Sequence, residues 1–192
     1  MDLNTLVKNS RSYRRFDESN PISGETLRAF VSLARFSPTG MNAQPLKFWL
    51  SNTGEMNALI FPHMGWAGGL EHWHGPVEGE RPSAYIIILG DTAIKDSFGV
   101  DHGIAAQSIM LGAAEKGLGG CIMGSAKKEA LRSALGIPDR YEILLVLALG
   151  KPAEVVVIDD LGDNQDVSYY RDQDDVHHVP KRGLDELILH DV

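Results

Sequence analysis

Apolar residues recur along this chain in two rhythms. Leu27, Phe30, Val31 and Ala34 fall at i, i+3, i+4 and i+7, the stripe of a helix laid on a core, and Ser23 stands where its N-cap belongs. Ser37-Pro38-Thr39-Gly40 stops that helix, because proline disfavours helical geometry in the residue before it. Ala84 to Leu89 is instead a continuous apolar run rich in isoleucine, the pattern of a strand buried on both faces in mid-sheet. Around these two anchors the spacing predicts a short helix over Asp2 to Asn9, a basic turn from Ser10 to Arg15 and a strand over Leu46 to Leu50. A helix capped by Asp101 should run to Lys116 and stop at Gly117, with Ala105, Ala106, Gly112, Ala113 and Ala114 leaving so little bulk that another backbone can approach. A strand follows over Cys121 to Met123, a helix over Lys127 to Leu135 closed by Gly136 and Pro138, and a buried strand over Ile143 to Leu149. Strands alternating with helices indicate a layered arrangement of both.

Two stretches break the rhythm. Phe61 to Pro82 is rich in Gly, Pro, Trp and His and reads as a long excursion of the functional kind. From about Val157 the composition turns to Asp, Gln, Tyr and His, then recovers apolar character at Leu184, Leu187 and Ile188, as in a tail that docks at its end.

Composition adds bounds. A chain of 192 residues, 43% hydrophobic, can bury one sizeable core, so residues 1–192 are expected to form a single domain with 160–192 as a C-terminal extension. A formal charge of −8 argues against a nucleic-acid partner, since no broad basic field exists to release its counterions. No apolar run is long enough to span a bilayer and Met1-Asp2-Leu3-Asn4 does not open a signal sequence, so no membrane partner and a cytoplasmic location are expected. The single Cys121 fits a reducing compartment and, sitting in a strand, reads as a buried thiol rather than a nucleophile.

Against the acidic background, two basic clusters stand out: Arg11, Ser12, Arg14 and Arg15 near one end, Lys181 and Arg182 near the other. Either could grip a phosphate through bidentate guanidinium bonds and a hydroxyl, or form a solvated face paired with acidic residues; the residues alone leave both readings open. His63, His72 and His74 could hold zinc but lack supporting ligands, so pocket-lining or surface roles are preferred and no metal is expected. Trp66 and Trp73 suit either a lid or a small core of the loop, and His177-His178 reads as a feature of the tail.

Arg11-Ser12-Tyr13-Arg14-Arg15-Phe16 followed by Ser37-Pro38-Thr39-Gly40-Met41-Asn42-Ala43-Gln44-Pro45 resembles the two N-terminal signatures of the nitroreductase family. Asp101-His102-Gly103-Ile104-Ala105-Ala106-Gln107, Gly117-Leu118-Gly119-Gly120-Cys121, Gly136-Ile137-Pro138, Leu149-Gly150-Lys151-Pro152 and Val179-Pro180-Lys181-Arg182 continue the resemblance in order across nearly the whole chain. It implies an α+β fold: a nitroreductase-like sandwich with a central mixed sheet flanked by helices and a C-terminal extension embracing the partner of a homodimer. It further implies FMN as cofactor, NADH or NADPH as reductant, ping-pong turnover and a small-molecule acceptor such as a nitroaromatic, quinone or flavin. By position, Arg11, Ser12 and Arg14 would contact the FMN phosphate, ribityl chain and ring edge, and Lys181 and Arg182 would close on the phosphate. Pro38, Thr39 and Asn42 would approach from the partner subunit, and Met123 and Gly124 would present backbone groups beside flavin N5.

The chain departs from the family pattern at Ser10, where an arginine is common, and at Leu46, where tryptophan commonly follows Gln44-Pro45. The first departure shifts the phosphate grip toward Arg11 and the tail. No acid/base dyad and no Gly-x-Gly-x-x-Gly turn are present, which fits chemistry carried by the cofactor. A specialised reaction on the same scaffold (reductive dehalogenation or flavin destruction) and a non-catalytic flavin-binding protein remain the alternatives.

Overall fold

A computed structural model describes residues 1–70, 72–162 and 165–191. In chain order the elements are α1 (Leu3–Asn9), β1 (Phe16–Asp17), α2 (Gly24–Phe36), β2 (Leu46–Ser51), α3 (Gly54–Ile60), β3 (Ala84–Asp91), α4 (Asp101–Glu115) and β4 (Gly119–Met123). They continue with α5 (Lys128–Leu135), β5 (Tyr141–Pro152), β6 (Val156–Asp160), β7 (Tyr170–Arg171), β8 (His177–Lys181) and α6 (Leu184–Leu187). The fold is the α+β sandwich that the sequence implies.

β3 lies mid-sheet with every residue buried, paired antiparallel to β2 on one side and β5 on the other. β5 carries β4 on its opposite edge and β1 at its end, again antiparallel. Side chains alternate across the pleat. Ile86, Ile88, Leu147 and Leu149 meet α2 and α4 on one face, and Tyr85, Ile87, Val146 and Ala148 meet Ile60 of α3 and Leu131 and Leu135 of α5 on the other. The strand ladders of this sheet are antiparallel throughout, so its mixed character resides in one parallel bridge, Ser12 to Gly120, that fastens the N-terminal basic turn to the free edge of β4. A smaller three-stranded sheet, β6–β8–β7, is itself mixed, with β6 and β8 parallel and β7 antiparallel.

Two expectations need correction, and one helix has no counterpart in the sequence pattern. Asp101 is not the N-cap of α4; Val100 holds that position, and the buried Asp101 carboxylate accepts the Gly40 N–H at 2.9 Å, clamping the Pro38–Gln44 segment to the helix. The chain between β2 and the long excursion forms α3, capped by the Thr53 hydroxyl accepting from Met56 N–H, an element too short to show a full apolar stripe. The tail's end does not dock on its own protomer: Leu184 and Leu187 are exposed and Leu189 is 100% exposed.

The long excursion packs on itself. Trp66 and Trp73 meet edge to face at 6.3 Å, Phe61 stands 5.9 Å from Trp66, and the Arg171 guanidinium covers the Trp73 ring at 4.7 Å. The two tryptophans therefore pack together, and Trp66 joins the loop to the core cluster that holds Ile60, Tyr85 and Leu131.

Candidate active site

Four separate stretches of chain meet in one cleft of about 340 Å³. Ser10, Arg11, Ser12 and Arg14 come from the basic turn, Gln107 and Met110 from α4, Ile122 from β4, and Tyr169, His177, Val179 and Lys181 from the tail. Its charge balance is one-sided. Among the described residues Arg11, Arg14 and Lys181 line it and no carboxylate does, in a chain that carries −8 overall. A concave wall with three cations and no counter-charge favours an anionic ligand.

The turn is held by a carboxylate that the sequence reading missed. The Glu154 side chain, 2% exposed, accepts the backbone N–H of Arg14 and, at 3.1 Å, that of Arg15, and receives Arg171 Nη2 at 2.7 Å. Pairing with Arg171 satisfies its buried charge, since a lone buried carboxylate would be costly. A single glutamate in an irregular segment carries no periodic signal that would reveal this.

Arg14 is buried. Its Nη1 lies 3.1 Å from His177 Nε2 and donates to the Ser12 carbonyl at 3.3 Å, and its guanidinium sits over the Tyr169 ring at 4.8 Å. Guanidinium can only donate, so His177 Nε2 accepts and the ring proton rests on Nδ1. Burial first, and the Arg14 charge second, push the His177 pKa down to about 4, keeping the ring neutral at physiological pH. His177 is 1% exposed and its Nδ1 has no partner among the described residues, leaving a buried donor on the cleft wall. Reading His177 as a tail feature was therefore incomplete; it is an inner wall of the site. Tyr169 is fixed in turn because its hydroxyl accepts the Gly69 N–H of the long excursion at 3.0 Å.

Arg11 donates Nη2 to the Val7 carbonyl at 2.7 Å, while its buried Nε has no partner among the described residues. Lys181 Nζ makes no hydrogen bond or ion pair there either. Arg182 turns away, bonding Glu186 at 3.0 Å and Gln165 at 3.2 Å, and does not line the cleft. Nor do Pro38, Thr39 and Asn42. Gly40, within their segment, is tied to Asp101, six residues before Gln107 and about 9 Å along the α4 axis. That segment holds Met41, Asn42 and Gln44 at positive φ (55°, 53° and 52°), an uncommon concentration for residues with a Cβ.

At β4 the carbonyl of Gly120 accepts the Tyr13 N–H, so Gly120 faces the free edge. Strand alternation then turns the backbone groups of Ile122 outward as well and those of Met123 toward Val146 of β5. Met123 is buried, whereas Ile122 and Gly124 are exposed and Ile122 lines the cleft. Cys121 is buried, and burial raises its pKa, which suits a packing thiol. No group of three or more His, Cys, Asp and Glu residues positioned for a metal is present among the described residues.

The residues present fit a flavin mononucleotide by their own chemistry. Arg11 and Lys181 offer unspent donors to a phosphomonoester, Ser12 adds a hydroxyl, and Met110 and Ile122 supply an apolar floor.

Comparison with known proteins bears on the family and the fold. The YodC protein of Bacillus subtilis (strain 168), assigned as an NAD(P)H nitroreductase, is 23% identical over 189 residues, covering 77% of this chain and 89% of its own. The solved FMN-dependent nitroreductase of Clostridium difficile R20291 superposes with a TM-score of 0.66 at 21% identity, covering 79% of this chain and 88% of that one. A nitroreductase of Exiguobacterium sibiricum 255-15, solved in complex with FMN, gives 0.68 at 23% identity over 80% of this chain and 90% of that one. The family model for nitroreductases matches residues 7–68 and 80–151, taking in the basic turn, the Pro38–Gln44 segment, α4 and the edge strand, and on that match the chain belongs to the nitroreductase family.

Proposed function

We propose that this protein is an FMN-dependent oxidoreductase that takes hydride from NADH or NADPH and reduces a small acceptor such as a nitroaromatic, a quinone or a flavin. The observation that carries the reading is the cleft lined by Arg11, Arg14 and Lys181, with no carboxylate among its described residues, inside an acidic chain of this family. Bound there, FMN would supply the redox chemistry, accepting a hydride from the reductant and returning it to the acceptor. The chain's own groups supply grip and orientation. Arg11 and Lys181 would hold the phosphate; Arg14, fixed by His177 and Tyr169, places a positive charge in the cleft; the outward backbone of Ile122 would border the ring. Reductant and acceptor use the same place in turn, giving ping-pong kinetics.

Support for a homodimer comes from incompleteness. At about 340 Å³ the cleft is at the small end for a ligand site, and the strained Pro38–Gln44 segment and the exposed end of the tail lie outside it. Pro38, Thr39 and Asn42 then complete the site of the partner subunit. No described helix is long and apolar enough to cross a membrane; a cytoplasmic location is part of the same proposal.

The purified protein should be yellow, release FMN on denaturation, and lose its visible absorbance with NADH or NADPH in the absence of air. Parallel double-reciprocal plots at varied acceptor should follow. A colourless protein that ignores added FMN overturns the reading.

A further inference from the structure

A second cavity, of about 440 Å³, lies between the end of β2, α3 and the segment leading into β3, and shares no lining residue with the cation cleft. Three buried donors there lack partners among the described residues: the Tyr85 hydroxyl, the Ser83 hydroxyl and Arg81 Nε. Tyr85 is 1% exposed and Ser83 8%. Burial, with the Glu18 charge behind it, raises the Tyr85 phenol, which stays an O–H donor. A buried donor left unmade is a standing cost, so such groups mark places where an acceptor is meant to sit.

Arg81 lies over the Phe61 ring at 4.7 Å and forms no ion pair among the described residues. Across the same cavity stands one carboxylate among the described residues, Glu18. Its Oε2 accepts the Gly79 N–H at 2.6 Å and the Arg81 N–H at 3.4 Å, while Oε1 accepts nothing among the described residues. The remaining wall includes Pro21, Ala58 and Pro62.

We infer that this cavity binds a free aliphatic α-amino acid. Its carboxylate answers Arg81, Ser83 and Tyr85, its ammonium answers Glu18 Oε1, and its side chain lies against the proline and alanine wall. A simple carboxylate would face Glu18 uncompensated, and a simple amine would face Arg81; only a zwitterion matches both charges.

Calorimetric titration of the purified full-length protein with L-leucine tests this. One saturable site per protomer is expected, with 4-methylpentanoate and 3-methylbutylamine at least tenfold weaker. Tyr85→Phe and Arg81→Met should each weaken L-leucine at least tenfold and leave FMN affinity within twofold. No binding into the millimolar range would mean that water alone meets these donors, and 4-methylpentanoate binding as well as L-leucine would remove the role of Glu18; either result overturns the inference. So would variants that bind L-leucine as the parent does. The comparison of the three compounds on the parent chain needs no variant to fold, and a failure to bind FMN leaves the outcome untouched.

Discussion

Arg11 and Arg182 look alike in sequence, each one member of a basic cluster, and the fold separates them. Arg11 keeps a buried Nε free on the cleft wall, whereas Arg182 spends its guanidinium on Glu186 and Gln165. Arg11→Ala should remove a charge-assisted contact of about 1.5–3 kcal/mol and weaken FMN by roughly ten- to hundredfold. Arg182→Ala should change the Kd by about twofold or less, since its present partners are a surface pair. Fluorescence titration with FMN reads both; equal losses would place Arg182 back in the phosphate grip.

At the scale of the element, β8 carries two adjacent histidines that titrate in opposite senses. The buried His177 has its pKa pushed down to about 4, while an unfolded chain would protonate near 6.5. Between those values the unfolded state holds the extra proton, so stability rises with pH. His178 donates from Nε2 to Asp172 at 3.1 Å and from Nδ1 to Asp159 at 2.7 Å, and these bonds raise its pKa. The folded state then keeps a proton that the unfolded chain has released, and this contribution, complete below about 6.5, is lost as pH climbs through the raised value. Denaturant midpoints across the pH range should peak near 6.5, and His178→Asn should flatten the alkaline limb while sparing the acid one. The edge strand makes a separate prediction. A Cβ at Gly120 would stand 2.5 Å from the Ala148 carbonyl oxygen, so the backbone itself must shift. Gly120→Ala should cost about 1–3 kcal/mol in denaturant unfolding and loosen the Ser12 bridge that shapes the cleft.

For the whole molecule, the proposed homodimer would cover an apolar tail end that a single protomer leaves in water. Leu184 and Leu187 of α6, and Leu189 just beyond it, are exposed. If FMN binds only the dimer, saturation at about a hundredfold its Kd stabilises that state by about 2.7 kcal/mol. Light scattering should show a dimer at micromolar concentration. Leu187→Asp combined with Leu189→Asp should shift it toward monomer and release FMN; a monomer that retains tight FMN would contradict the shared site.

Local patterning determined much of this protein. The stripe Leu27, Phe30, Val31 and Ala34 and the run Ala84 to Leu89 are legible because burial on one helix face or on both faces of a strand imposes its own period, and α2 and β3 lie where that period places them. The basic turn and Lys181 are legible as charges out of keeping with an acidic chain. Tertiary structure alone decided which charges converge. Glu154 under the basic turn, His177 against Arg14 across 163 positions of sequence, and Arg182 turned away from the cleft depend on long-range packing that leaves no periodic trace. Asp101 shows the boundary between the two: its place at the start of α4 is local, and its bond to Gly40, 61 positions away, belongs to the fold.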